Sequence, residues 1–165
     1  MLVLGIDPGT AITGYGLVRQ LEDNRLEVVA FGVIETSVEL KLEYRLDHLF
    51  EQLNSLLNLH RPNSAAVEQL FFQRNVKTAL SVGHARGVAL LALARSGVPV
   101  MEYTPMQVKQ AVVGYGGADK NQVQQMVRVL LQLQDIPRPD DAADALAVAI
   151  CHLHTLRFDH LVTGG

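Results

Sequence analysis

The sequence predicts an α/β domain built on a mixed five-stranded sheet that is flanked by helices. Three apolar, β-forming segments follow one another near the N-terminus, and shorter apolar segments then alternate with helical patterns. The length of 165 residues fits a single domain. We therefore expect an antiparallel N-terminal meander that continues into a strand–helix alternation.

Five strands are predicted. The first covers residues 2–7, where LVLGID is rich in β-forming residues and a Pro-Gly turn follows. Residues 12–19 and 26–36 complete the meander, and two buried strands are expected at 64–69 and 98–103.

Five helices are predicted to cover this sheet. Leucines at three- and four-residue spacing mark the first as amphipathic, small residues dominate the second, and two prolines precede the last. The predicted ranges are 39–60, 77–96, 105–113, 119–133 and 140–156. Residues 158–165 end in Gly-Gly and are expected to form a flexible tail, which leaves 1–157 as one domain.

Composition narrows the class of protein. Nearly half of the residues are apolar, yet no apolar stretch is as long as a membrane span, so we expect no membrane partner. Cys151 is the only cysteine, and the N-terminus lacks the pattern of a secretion signal. Both features favour a cytoplasmic protein in a reducing compartment.

Charge is distributed unevenly, although the net charge is only −3. Residues 73–128 contain seven Lys and Arg against two Asp and Glu, whereas residues 1–72 contain five against ten. A basic middle segment of this kind can bind phosphate groups even in an acidic protein. Ordinary solvated helix surface explains the same charges equally well, so charge alone leaves both interpretations open.

Several carboxylates stand at positions where a charge needs compensation. Asp7 ends the first strand, and Glu68 interrupts an apolar run that otherwise indicates burial. Asp140, Asp141 and Asp144 lie in the first turns of the last helix, where helix capping is the simplest explanation for any one of them. A cluster of such hard oxygen ligands would suit Mg²⁺ or Mn²⁺. Helical spacing places Asp144 on one face with both Asp140 and Asp141, so spacing leaves open which of the two joins it.

Four segments, in order and spanning almost the whole chain, resemble the RuvC family of bacterial Holliday-junction resolvases: GIDPGTAITGYGLV (5–18), VEQLFFQRN (67–75), QVKQAVVGYGGADKNQVQQMV (107–127) and DDAADALAVAICH (140–152). The resemblance implies a ribonuclease H-like fold and a homodimer. It also implies paired symmetric nicking of four-way DNA junctions in recombination and repair, beside a branch-migration complex of the RuvA and RuvB type.

The resemblance also implies the site. By motif, the catalytic and metal-binding carboxylates are Asp7, Glu68, Asp141 and Asp144, which would bind two Mg²⁺ or Mn²⁺ ions, and Asp140 stands outside the motif. Two such ions can activate a water and stabilise the charge that develops on the phosphate, leaving 5′-phosphate and 3′-hydroxyl ends.

Five further residues are assigned to DNA. Lys109 and Lys120 match lysines of the family motifs and are expected to contact phosphate. Phe71 matches an aromatic wedge of the family that stacks on unpaired bases. Arg74 and Lys77 follow it and could hold the DNA backbone through charge.

Some neighbouring residues carry weaker expectations. Thr10 and Thr13 follow Asp7 and could donate hydrogen bonds to phosphate oxygens. His152 and His154 show no metal-ligand spacing, so we expect them at the surface or the edge of the core. Cys151 lies in an Ala- and Val-rich helix and is expected to be a small core residue.

The second helix bears on the dimer, and two alternative functions remain open. Small residues in the helix at 77–96 permit close backbone approach, and in the family this helix lies at the dimer interface. A relative that binds structured nucleic acid without cutting it would share the fold. GIDPGT alone also resembles a phosphate-binding motif of actin-like phosphotransferases, although 165 residues are too few for two lobes.

Overall fold

The computed structural model describes residues 1–69 and 76–163, with side chains described through Arg157. Within these residues five strands and five helices follow in the order β1 (Leu2–Asp7), β2 (Ile12–Gln20), β3 (Leu26–Glu35), α1 (Leu42–His60), β4 (Ser64–Glu68), α2 (Val76–Arg95), β5 (Val100–Tyr103), α3 (Pro105–Val113), α4 (Lys120–Leu130) and α5 (Asp140–Thr163). The sheet has the order β3-β2-β1-β4-β5, with antiparallel pairs in the meander and parallel pairs beyond it. The predicted mixed α/β sheet is confirmed.

The strand register brings the ends of β1 and β4 together. These two strands run parallel, and Ile6 lies opposite Val67. Each strand ends one residue later, at Asp7 and at Glu68. Because parallel strands present their carboxyl ends at the same edge of a sheet, the two acidic residues are neighbours there.

Helices cover both faces of the sheet and form two apolar cores. On one face α5 lies across the strands with α3 and α4 beside it, and on the other face α1 packs against α2. The first core includes Val3, Val18, Ala66, Leu146 and Ile150. The second includes Leu4, Ile6, Leu17, Leu53 and Leu93.

Three glycines let α5 rest directly on β1 and β2. A Cβ atom added at Gly5 would lie 2.0 Å from the Ala145 carbonyl oxygen, and one at Gly14 would lie 1.9 Å from the Asp141 carbonyl oxygen. At Gly16 the nearest atom would be in Leu146, at 2.7 Å. Glycine inside a strand often marks such a close backbone approach, and two of these glycines alternate along one face of β2. At Gly5 and Gly14 the backbone of α5 therefore lies directly against the strand backbone, whereas at Gly16 the Leu146 side chain fills the space.

Several element ends differ from the predicted ones. Helix α1 begins at Leu42, because residues 37–40 form a turn in which the Leu40 N–H donates to the Ser37 carbonyl at 3.3 Å. Strand β5 begins at Val100 rather than at residue 98, and α4 ends at Leu130, before a residue with positive φ at Gln132.

Helix α5 continues to Thr163, seven residues beyond the predicted end at 156. The backbone of residues 158–163 is therefore helical where a flexible tail was predicted, because no glycine or proline interrupts the sequence before residue 164. Residues 164 and 165 lie outside the described part of the chain. In the described residues, none of the helices has the length and apolar character needed to cross a bilayer.

Candidate metal centre and DNA-contact residues

Asp7 and Glu68 are held by the edge of the sheet and face α5. In β1, Val3 and Gly5 point toward α5, and Asp7 shares their face because strand side chains alternate. Glu68 lies two residues after Ala66 in β4, so the two side chains are on the same face of the sheet. Tyr103, the register partner of Glu68 in β5, also packs on this face. Asp7 and Glu68 are both partly buried.

The N-terminal turns of α5 bring two further carboxylates to this edge. Asp141 is the residue whose carbonyl oxygen contacts Gly14, and Gly14 is the register partner of Asp7. The close contact therefore fixes the backbone of Asp141 relative to Asp7. Asp144 follows three residues later, which places it on the same side of the helix. Sequence reasoning missed this role of Gly14, although glycines alternating in a strand gave a signal for it.

The carboxylates raise one another's pKa. Burial, followed by repulsion from Glu68, Asp144 and Asp141, raises the pKa of Asp7 from its ordinary value of 3.8 to about 8. Burial and repulsion from Asp144 raise the pKa of Glu68 to about 7. Burial also raises the pKa of Asp144, although the nearby Lys120 opposes the shift. The cluster is thus short of positive charge at neutral pH.

A divalent cation would supply the missing charge. The donor set consists of carboxylate oxygens, which Mg²⁺ and Mn²⁺ prefer, and it is partly withdrawn from water. In residues 1–69 and 76–163, no three Asp, Glu, His or Cys side chains converge closely enough to enclose an ion in this conformation. The fit to a metal therefore rests on the charge, burial and chemistry of the four residues.

Lys109 and Lys120 lie beside the carboxylates. They line a cavity of about 250 Å³ together with Glu68 and Asp144. Lys109 comes from α3 and Lys120 is the first residue of α4, so three helices contribute to this cavity at the end of β4. The two lysines offset part of the carboxylate charge, since both lower the pKa of Glu68.

Lys120 forms two ion pairs. Its Nζ atom lies 3.2 Å from Oδ2 of Asp144 and 3.3 Å from Oδ2 of Asp140. Partial burial would lower the pKa of Lys120, but the two carboxylates outweigh it and raise that pKa above its usual value. Asp140 also accepts a hydrogen bond from Arg138 at 2.8 Å. Asp140, for which helix capping was the simplest explanation, is thus an ion-pair partner of Lys120.

The other predicted DNA contacts divide into two groups. Phe71, the predicted wedge, and Arg74 lie outside the described residues. Lys77 is the second residue of α2 and its side chain is exposed. All three remain predictions.

Thr10 and Thr13 are not available to phosphate, contrary to expectation. Both are buried. The Thr10 hydroxyl donates to the Ser81 carbonyl, and the Thr13 hydroxyl donates to the Gly9 carbonyl at 2.6 Å. The Thr13 hydroxyl therefore stabilises the turn after Asp7 from within, and the Thr10 hydroxyl connects that turn to α2.

His152 is also placed differently from the prediction. It is 1% exposed, and its Nε2 and Nδ1 lie 3.0 Å from Ser64 Oγ and 2.8 Å from the Tyr103 hydroxyl. Burial lowers the pKa of His152, so the ring is a neutral core residue that cross-links α5 to β4 and β5. Cys151 is buried as predicted, and burial raises the pKa of its thiol to about 11.

Helix α2 presents an apolar stripe to solvent. Val76, Leu80 and Leu91 are 73%, 60% and 53% exposed. The helix period places the exposed residues His84 and Gly87 between them. These five residues are called the α2 stripe below. Of the small residues expected at an interface, Ala85 and Ala89 instead lie in the apolar core between α2 and the sheet.

Comparison with known sequences identifies the family. A family model described as crossover junction endodeoxyribonuclease RuvC matches residues 3–152. The protein of that name from Heliobacterium modesticaldum is 60% identical over 156 residues, which cover 94% of this chain and 96% of that protein. The one from Ruminiclostridium cellulolyticum is 54% identical over 162 residues, covering 98% and 97%.

Solved structures agree with this assignment. RuvC of T. thermophilus in complex with a Holliday junction substrate superposes with a TM-score of 0.91 at 40% identity, covering 96% of each chain. The yeast mitochondrial Holliday junction resolvase Ydc2 superposes with a TM-score of 0.69 at 16% identity, covering 97% of this chain and 83% of that one, which supports the ribonuclease H-like fold alone. The chain belongs to the RuvC family of crossover junction endodeoxyribonucleases.

Proposed function

We propose that this protein resolves four-way DNA junctions by paired, symmetric nicks. The observation that carries the proposal is the cluster of partly buried carboxylates with raised pKa values beside Lys109 and Lys120. The similarity to T. thermophilus RuvC, which was solved with a Holliday junction substrate, supports the choice of DNA. The role is in homologous recombination and repair, in the cytoplasm, with a branch-migration complex of the RuvA and RuvB type as partner.

We assign two Mg²⁺ or Mn²⁺ ions to Asp7, Glu68, Asp141 and Asp144. When bound, the ions supply a nucleophilic water and Lewis-acid stabilisation of the phosphate. The four carboxylates hold this charge in a partly dry site, where electrostatic interactions are stronger than in water. Lys109 and Lys120 hold the phosphate by charge, and the expected products are 5′-phosphate and 3′-hydroxyl ends.

We also propose a homodimer formed through the α2 stripe. Its three exposed large apolar residues, Val76, Leu80 and Leu91, lie on one helix face, and such an exposed apolar patch is typical of a protein–protein interface. A two-fold dimer presents two identical sites, and a four-way junction offers two opposed strands to cut.

Cleavage of a synthetic four-way junction tests the enzymatic proposal. With Mg²⁺ or Mn²⁺, the wild-type protein should make paired nicks in the junction and leave linear duplex intact. Asp7→Asn should abolish cleavage while junction binding persists, and Asp135→Asn, an exposed aspartate in the connection before α5, should cut normally. Binding without cutting by the wild type would establish the non-cleaving alternative, and ATP turnover would establish the phosphotransferase.

Sedimentation tests the dimer. Leu80→Glu should shift the protein from dimer to monomer, because a charge would be buried at the interface. Leu59→Glu is the matched control, since Leu59 is 75% exposed on α1. A Leu80→Glu protein that stays dimeric would remove the α2 stripe from the interface.

A further inference from the structure

Asp140 uses its two carboxylate oxygens for two different cations. Oδ1 accepts from Arg138 at 2.8 Å, and Oδ2 lies 3.3 Å from Lys120 Nζ. Arg138 and Asp140 are separated by one residue, so this pair is local, whereas the Lys120 pair joins the first residues of α4 and α5. The Asp140 carboxylate is thus oriented by Arg138 on one side and pairs with Lys120 on the other.

Lys120 stands between a carboxylate of the site and one outside it. Asp140 and Asp144 are four residues apart on α5 and therefore lie on the same helix face. The ammonium group contacts Oδ2 of each, at 3.3 and 3.2 Å. Asp144 belongs to the proposed metal-binding set and Asp140 does not. A metal ion that binds Asp144 would therefore displace Lys120 from Asp144 and leave its ion pair with Asp140 intact.

We propose that Asp140 is a positioning residue that keeps the Lys120 ammonium beside the site when Asp144 binds a divalent cation. The inference rests on the proposed function, because it takes Asp144 as a metal ligand. Of the two ion pairs that Lys120 forms, only the one with Asp144 would remain without Asp140. Metal binding would then break that pair and leave an ammonium group next to a dication, and the repulsion would move Lys120 away.

Replacing Asp140 by asparagine changes the affinity for the metal in two ways. The substitution removes one negative charge near the site, and it makes Lys120 a stronger competitor for Asp144. Both effects weaken metal binding. The second one requires Lys120, and this dependence separates positioning from a general loss of charge.

Titration of Mn²⁺ into the full-length chain without DNA measures how far the effect of Asp140→Asn on metal affinity depends on Lys120. We expect Asp140→Asn to weaken Mn²⁺ binding about fivefold, the scale of an exposed ion pair, and about twofold or less in a Lys120→Met background. Asp140→Glu should restore wild-type affinity, because the longer side chain still reaches Lys120. Asp135→Asn controls for the loss of one exposed acidic charge.

Equal weakening in both backgrounds, or none in either, would overturn the inference.

A second measurement follows Lys120 directly by reductive methylation and peptide mass spectrometry, with the exposed Lys41 as internal reference. Saturating Mg²⁺ should accelerate methylation of Lys120 about fivefold more in Asp140→Asn than in the wild type. Equal acceleration in the two proteins would also overturn it. Unchanged Mn²⁺ binding in Asp7→Asn would instead contradict the proposed metal site, so the two failures are distinguishable.

Discussion

Replacing Asp7 by asparagine should stabilise the metal-free protein at pH 8 and change its stability little near pH 4. Burial and the neighbouring carboxylates raise the pKa of Asp7 from 3.8 to about 8 in the folded chain. Between these two values the folded chain binds a proton that the unfolded chain has released. The free energy of unfolding therefore falls as pH rises through this window, and asparagine, which does not ionise, escapes the loss.

The size of the effect follows from the pKa shift. A rise from 3.8 to about 8 is about four units, and at about 1.4 kcal/mol per unit the upper limit is about 6 kcal/mol. Asp7 is only partly buried, so water reaches part of its carboxylate. Screening and relaxation then reduce the gain, and we expect Asp7→Asn to raise the free energy of unfolding by about 2 kcal/mol at pH 8.

Urea unfolding in the presence of a chelator measures this change. Linear extrapolation at pH 5 and pH 8 gives the free energy of unfolding for the wild type, Asp7→Asn and the exposed control Asp135→Asn. The gain for Asp7→Asn should grow between the two pH values, and the control should show no such growth. Saturating Mg²⁺ should reverse the order at pH 8, because the ion stabilises the wild type by binding its folded state.

An Asp7→Asn protein that is less stable than the wild type at pH 8 without metal would refute this reasoning. It would mean that the Asp7 carboxylate makes favourable contacts that outweigh burial and repulsion. A gain equal at pH 5 and pH 8 would also refute it, since the cause would then be something other than ionisation.

Three further predictions test the surroundings of the site. Gly14→Ala should push α5 away from β2, lower the free energy of unfolding by about 1–3 kcal/mol in urea and weaken Mn²⁺ binding measured by calorimetry; unchanged binding would contradict the seating of α5 on Gly14. Tyr103→Phe should cost about 1–2 kcal/mol, because Nδ1 of the buried His152 loses its partner, and urea unfolding measures this cost; an equally stable variant would mean that the hydrogen bond contributes nothing. The Cys151 thiol should react with a disulfide reagent at pH 8 only as fast as the chain unfolds, since burial raises its pKa to about 11; rapid reaction of the folded chain would contradict its burial.

The sheet and the positions of its acidic residues were predictable because they depend on local patterns. Asp7 and Glu68 each end an apolar run, and parallel strands bring such ends to one edge. Helical spacing alone did not separate Asp140 from Asp141, because both lie on the face of Asp144. In the folded chain Lys120, twenty residues before Asp140, pairs with Asp140 and Asp144, whereas Asp141 is among the charges that raise the pKa of Asp7.

The errors share a physical cause. His152 looked like a surface or core-edge residue because its partners, Ser64 and Tyr103, are 88 and 49 residues away in the sequence. Thr10 looked available to phosphate because its acceptor, the Ser81 carbonyl, belongs to a helix far along the chain. A polar side chain near a motif has an obvious functional interpretation, and only tertiary contacts reveal that its hydrogen bonds are already used.

The seating of α5 on bare backbone has a consequence for sequence divergence. Side chains of a core can be exchanged over evolutionary time, and helices shift by fractions of an ångström when they are. At Gly5 and Gly14 the nearest atoms of the helix belong to its backbone, so the spacing between the two halves of the acidic cluster depends there on atoms that no substitution in α5 removes. Substitutions elsewhere in the two cores should therefore displace the cluster less than a side chain added at Gly5 or Gly14 would.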